Sequence, residues 1–147
     1  MSNYNNLSQK TNFIAGSDKF DKVPFYLINV NIPGINLSNP IIGGRHSGQL
    51  KLSGDTVQYN PLFVEMLIDE DFEIYKEFMS LIRKNINIET GIFADFCFDF
   101  FIEIKNSKGN KVMRLDFSNC RINSISDIIL DSQDDTTEHS MTVDMAY

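Results

Sequence analysis

At 147 residues the chain amounts to about one domain, and its 42% hydrophobic and 22% charged residues suit a folded globular protein better than a disordered one. Acids outnumber bases 20 to 13, a net charge of -7, which argues against a protein that grips DNA or RNA by neutralising phosphates on a basic face. Two cysteines far apart, two histidines and no tryptophan make neither a disulfide framework nor a zinc knuckle, and read as two small buried thiols in a reducing compartment.

Residues 1–10 are polar and predict a flexible arm ahead of a single β domain over residues 11–147. Residues 1–7 carry neither the basic nor the apolar region of a secretory signal. No apolar run approaches the ~18 residues that a membrane-spanning helix needs. From Phe25 the pattern alternates, with Tyr26, Ile28, Val30 and Ile32 on one face. Pro33-Gly34 ends that strand, because proline cannot donate to a ladder and glycine permits a turn. Residues 35–47 read as a long irregular excursion carrying Ile41-Ile42 among glycines. Leu50 and Leu52 begin another strand, which ends at the turn Ser53-Gly54-Asp55. Leu62, Val64, Met66 and Ile68 alternate again.

Residues 69–84 predict a helix whose stripe is Phe72, Tyr75, Met79 and Ile82. Asp69 is the expected N-cap, with acids in the first turn and Arg83-Lys84 in the last, complementing the macrodipole at both ends. Residues 93–104 give the longest strand, with Ala94, Phe96, Phe98, Phe100, Ile102 and Ile104 on one face and Asp95, Cys97, Asp99 and Glu103 on the other. Residues 106–110 form a hairpin loop. Residues 111–118 return with Met113, Leu115 and Phe117 on one face, and residues 122–130 continue as β. Met141, Val143, Met145 and Tyr147 alternate at the end. The sum predicts a mainly β protein, an antiparallel β-barrel or sandwich with one flanking α-helix.

Few residues are arranged for catalysis. Asp95, Asp99 and Glu103 lie four apart on one strand, about 13 Å between neighbours at roughly 3.3 Å per residue. A glycosidase pair needs about 5 Å or about 6.5–9.5 Å, so a solvated or channel-facing row is the better reading. His46 sits in Gly43-Gly44-Arg45-His46-Ser47-Gly48, which lacks the lysine and hydroxyl of a phosphate loop. Asp134-Asp135 lacks the alternating ligands of a calcium loop. No metal or cofactor is expected, and a catalytic protein is not. A small β-sandwich hydrolase using the acidic row is a remote alternative. A glycan-binding module is another, disfavoured by the missing tryptophan.

Several segments together resemble the tail-tube protein family of contractile-tailed, T4-like bacteriophages. They are Phe25-Tyr26 through Val30-Asn31-Ile32-Pro33-Gly34-Ile35, then Gly54-Asp55 with Tyr59-Asn60-Pro61-Leu62. Ile68-Asp69-Glu70-Asp71-Phe72 with Tyr75 follows, and Phe117-Ser118-Asn119-Cys120, Ile125-Ser126, Thr142-Val143 and Ala146-Tyr147 complete the set. The resemblance covers nearly all of the chain from Thr11 onward. It implies a non-enzymatic virion protein of tail-tube fold, assembled in the host cytoplasm into a hexameric ring around the DNA channel. Thr11-Asn12-Phe13 and the Ile-Pro-Gly-Ile turn look most like the tube terminator at the head-proximal end. The main tube subunit and the baseplate tube initiator share its architecture. Other tube, sheath, neck or baseplate proteins would be its partners, and DNA would pass without specific binding.

The physics of a ring fits these expectations. Head-to-tail closure with identical neighbours covers exposed sheet edges. Ile41 and Ile42, with Arg45 and His46 beside them, are candidates for a ring or stacking contact. An acidic lumen would repel phosphates and let DNA slide, and Asp95, Asp99 and Glu103 are the candidates to line it.

Overall fold

A computed structural model describes residues 7–43, 48, 50–51, 53–54, 56–86, 96–133 and 138–147. In chain order the elements are β1 (Phe13–Ser17), a single helical turn α1 (Val23–Tyr26), β2 (Leu27–Val30), β3 (Ile35–Leu37), β4 (Ile41–Ile42) and β5 (Leu50–Lys51). They continue with β6 (Val57–Tyr59), β7 (Leu62–Leu67), helix α2 (Glu73–Asn85), β8 (Phe98–Lys105), β9 (Lys111–Ile125) and β10 (Ser140–Ala146).

Six strands form one sheet in the order β1-β8-β9-β10-β7-β2, every neighbouring pair antiparallel. The fold is mainly β, as predicted. Among the described residues the sheet is open, with β1 and β2 at its edges, and is sandwich-like rather than a closed barrel. Its inner face is built by strict alternation. Leu62, Val64 and Met66 from β7, Phe98, Phe100 and Ile102 from β8, and Met141, Val143 and Met145 from β10 are all buried, because the pleat sends every second side chain inward.

The predicted strands over residues 111–118 and 122–130 are one 15-residue strand, β9, and residues 126–130 lie beyond its end. Its first part pairs with β8 as far as Cys120, and its last part, from Arg121, pairs with β10. Just before the changeover, Asn119 takes a left-handed conformation, φ 57°, which asparagine tolerates better than other side chains. A single strand thus bends from one half of the sheet into the other.

The helix covers the inner face with Ile74, Phe78 and Leu81, all buried. The predicted stripe of Phe72, Tyr75, Met79 and Ile82 is half-buried and lies one position round the helix. The sequence supports two adjacent i, i+4, i+7 stripes, and the sheet takes the purely apolar one. Phe20, ahead of α1, stacks on Phe78 at 4.4 Å between ring centroids and meets Phe98 edge-on at 5.2 Å. Asp69 caps the helix from outside it: its carboxylate accepts the N–H groups of Glu73 at 3.2 Å and Ile74 at 3.3 Å. Between them the chain turns through Phe72 at φ 55°.

Two further readings change. Phe25 and Tyr26 belong to α1, where Pro24 fits the first helical turn, and a register shift between Leu27 and Asn29 disrupts the predicted face. Ile28 and Ile32 are exposed there, while Leu27 and Val30 pack on the core. The predicted excursion after Pro33-Gly34 contains paired backbone, β3 with β6 and β4 with β5. The strand β1, pairing from Phe13↔Ile104 to Ser17↔Phe100, had no sequence signal beyond five residues. Of the predicted arm, residues 7–10 are described and exposed.

Candidate assembly surfaces

The outer face of β8 carries Asp99, Phe101 and Glu103, since its inner positions hold apolar residues. Arg114 on β9 faces Glu103 in the register. Its Nη1 donates to Glu103 Oε1 at 3.1 Å, its Nε donates to Asp116 Oδ1 at 2.8 Å, and its guanidinium lies 4.4 Å from the Phe101 ring centroid. Lys111 Nζ reaches the same Glu103 oxygen at 3.4 Å. Desolvation pushes the Glu103 carboxyl up, but hydrogen bonds from Arg114 and Lys111, with their charges, outweigh it and hold it below the ordinary range. The hydrogen bond to Asp116, ahead of that to Glu103, pushes Arg114 further up.

Asp99 does a different job. Its Oδ1 accepts the N–H of Asn119 at 3.1 Å, stabilising the left-handed kink of β9. Its own N–H donates to Asp18 Oδ1 at 2.9 Å, and its carbonyl accepts the Asp18 N–H at 3.2 Å. The acidic row therefore divides: Asp99 is used for backbone geometry and Glu103 for an ion-pair cluster. Asp95 lies outside the described residues.

The second surface is the two-stranded ribbon of β3 and β6, exposed at every position. Ile35, Leu37, Val57 and Tyr59 stand on it, with Ile32 at its root and Ile41 beyond it on β4, all exposed. Ile42 also lies on β4; nothing is described of its side chain, and Arg45 and His46 lie outside the described residues. At Gly54 the backbone runs so close to the Ser38 carbonyl that any Cβ would overlap it.

A set of polar contacts that the sequence reading missed anchors this ribbon. Asn31 Oδ1 accepts the Phe63 N–H at 2.5 Å and Asn31 Nδ2 donates to the Pro61 carbonyl at 3.3 Å. Asn60 N–H donates to the Gly34 carbonyl at 3.0 Å, and Asn36 Nδ2 donates to Asn60 Oδ1 at 3.0 Å. The Tyr147 hydroxyl donates to the Asn60 carbonyl at 3.0 Å while its ring meets Phe117 edge-on at 4.9 Å. The available signal was three asparagines flanking the Pro33-Gly34 and Pro61 breaks, residues that bond to local backbone where ladders stop.

Among the described residues no three His, Cys, Asp or Glu side chains converge to hold a metal ion, and no helix is long and apolar enough to cross a membrane.

No protein-family model and no curated protein matches the sequence. Among solved structures, the chain is similar to one in the cryo-EM structure of the anti-feeding prophage (AFP) baseplate, 6-fold symmetrised. The TM-score is 0.71 at 14% identity, with 98% of this chain and 93% of that chain covered. At that identity the likeness establishes a common fold, spanning nearly the full length of both chains.

Proposed function

We propose that the protein is a structural subunit of a contractile-tail assembly, closing side by side with identical copies into a six-fold ring around a channel. The observation that carries this reading is the full-length fold likeness to a chain of a six-fold symmetrised prophage baseplate. The open edges β1 and β2 and the exposed apolar ribbon support it, since both are hazards on a monomer that neighbours in a ring would cover.

Its work is mechanical rather than catalytic. A general acid needs a raised pKa, and Glu103 is held low by its cations, while Asp99 is engaged by the Asn119 amide. Asp95, Asp99 and Glu103 are proposed to face the channel. There the Arg114 and Lys111 bridges make the surface less negative than the row of acids implies, and DNA slides past without specific binding. Ile41, Ile42, Arg45 and His46 are proposed to lie at a ring or stacking contact. Other tube, sheath, neck or baseplate proteins are its neighbours in the virion, assembled in the host cytoplasm.

The sequence features favour the tube terminator at the head-proximal end. The tube initiator is the second reading, favoured by the membership of the similar chain in a baseplate. Mass measurement with negative-stain imaging tests the ring: six-fold particles are expected, and a monomer that binds glycans or turns over substrate overturns the reading. Gold labelling of the protein in intact virions then separates the ends, with label at the neck expected for a terminator and at the baseplate for an initiator.

A further inference from the structure

The two ends of β9 carry surfaces of opposite character. At its start, beside the hairpin of residues 106–110, a cleft of about 530 Å³ is lined by Leu7, Ile104 and Val112, by Lys105 and Lys108, and by polar side chains of the 8–12 and 106–107 stretches. Lys10 and Lys111 are the chain neighbours of its lining residues Gln9 and Val112, so four of the 13 bases of an acidic protein lie in or next to this stretch. Glu103 is the acid nearest in the register, and it is already bridged by Lys111 and Arg114.

One residue beyond the other end of β9 runs Asp127-Ile128-Ile129-Leu130-Asp131, outside any helix or strand. Ile128 turns into a cleft against Tyr75, Met79 and Ile82 of α2. Ile129 and Leu130 do not: they are 80% and 75% exposed, between two exposed carboxylates. Two adjacent aliphatic side chains so exposed forgo the gain of burial, and nothing among the described residues covers them.

We propose that this acidic-flanked segment of one copy docks in the lysine-lined cleft of a second copy. Ile129 and Leu130 meet Leu7, Ile104 and Val112, and Asp127 and Asp131 meet Lys105 and Lys108. The two surfaces are complementary in charge, lysines in the cleft against carboxylates on the segment, and each carries aliphatic side chains. A molecule does not satisfy its own pair: the two surfaces flank opposite ends of β9, and Ile129 and Leu130 stand exposed within one copy. A contact between different patches is heterologous and repeats from copy to copy along the β9 direction. It is distinct from closure of a ring through sheet edges and stands without it.

Charge reversal of the full chain, read by analytical ultracentrifugation over a concentration series, tests the contact. The wild type associates end to end, and association weakens as salt rises, because the charge pairs are screened. Lys105→Glu with Lys108→Glu, and separately Asp127→Lys with Asp131→Lys, each weaken association about tenfold or more, since like charges then face each other. An equimolar mixture of the two variants restores it, each supplying the end the other needs. Strand content by circular dichroism checks that both variants fold. Ile129→Ser with Leu130→Ser weakens association at high salt as well, where the charge reversals lose their effect. Wild-type protein that stays unassociated at every concentration overturns the proposal, as does association that either reversal leaves unchanged or that mixing fails to restore. Six-fold rings that form normally in variants unable to associate end to end support the ring reading independently, and loss of rings alone leaves this contact standing.

Discussion

Cys120 shows how one side chain reports on the packing around it. It is fully buried, and burial, ahead of the nearby Asp99 and Asp18 charges, pushes its thiol from the ordinary 9.0 to about 11. The thiolate is the reactive form, so a thiol reagent at pH 8 is expected to modify half-exposed Cys97 and to reach Cys120 only on unfolding, which mass spectrometry of labelled peptides reads directly. A raised folded pKa means that the native state holds the proton more tightly. The stabilisation is therefore full below about pH 9 and is lost as the pH climbs through about 11. Denaturation of Cys120→Ala across that window should show a shallower decline than the wild type. Beside it, Asn119 at φ 57° is left-handed by necessity. Asn119→Gly is expected to leave stability within about 0.5 kcal/mol, whereas Asn119→Val should cost about 1–2 kcal/mol by urea unfolding.

At the scale of elements, α2 separates what caps from what packs. Asp69→Ala removes both carboxylate bonds to the first turn and should cost about 1 kcal/mol. Phe78→Ala empties the ring position between Phe20 and the sheet and should cost about 3–5 kcal/mol. Met79→Ala, on the half-buried flank, should cost about 1 kcal/mol; chemical denaturation ranks the three. The body of the helix, its capping carboxylate and the inner positions of β7, β8 and β10 were legible in the sequence, because each follows from a sustained periodicity, although the helix begins at Glu73 rather than at 69 and Phe96, expected on the inner face, is exposed ahead of β8. The choice between the two stripes of α2 was not, since both have the same spacing and only the sheet decides. Nor was the register shift at Leu27, which changes the alternation the eye relies on. The ribbon was hidden for a further reason: β3 and β6 have three residues each and no buried face, so neither period is imprinted on them. Of the candidate site, the acidic row was visible as a pattern, but the Arg114 clamp on Glu103 and the Asn119 bond to Asp99 depend on pairing 11 and 20 residues away in sequence.

For the whole molecule, the body and the ribbon are separable in energy. The buried core draws on β1, β7, β8, β9, β10, the Phe20–Val23 stretch and α2 and, among the described residues, on nothing between residues 34 and 61. Joining Leu37 to Val57, which are register partners, through an Asn-Gly turn is therefore expected to leave the melting temperature within about 3–4 °C, the shift that 1 kcal/mol produces in a domain of this size. The same deletion should abolish assembly in the imaging experiment.

The bend of β9 at Asn119 has a consequence for how the body comes apart. One half of the sheet, β1 and β8, and the other, β10, β7 and β2, are joined through this single strand. The two halves hold successive stretches of it, β8 as far as Cys120 and β10 from Arg121, and both bury their inner side chains in one core. Amide protons of β8 and β10 should accordingly exchange through one common opening, with the same free energy and the same denaturant dependence, rather than as two independent units. Such a weld means that a pull on either end is shared by the whole body before any of it yields.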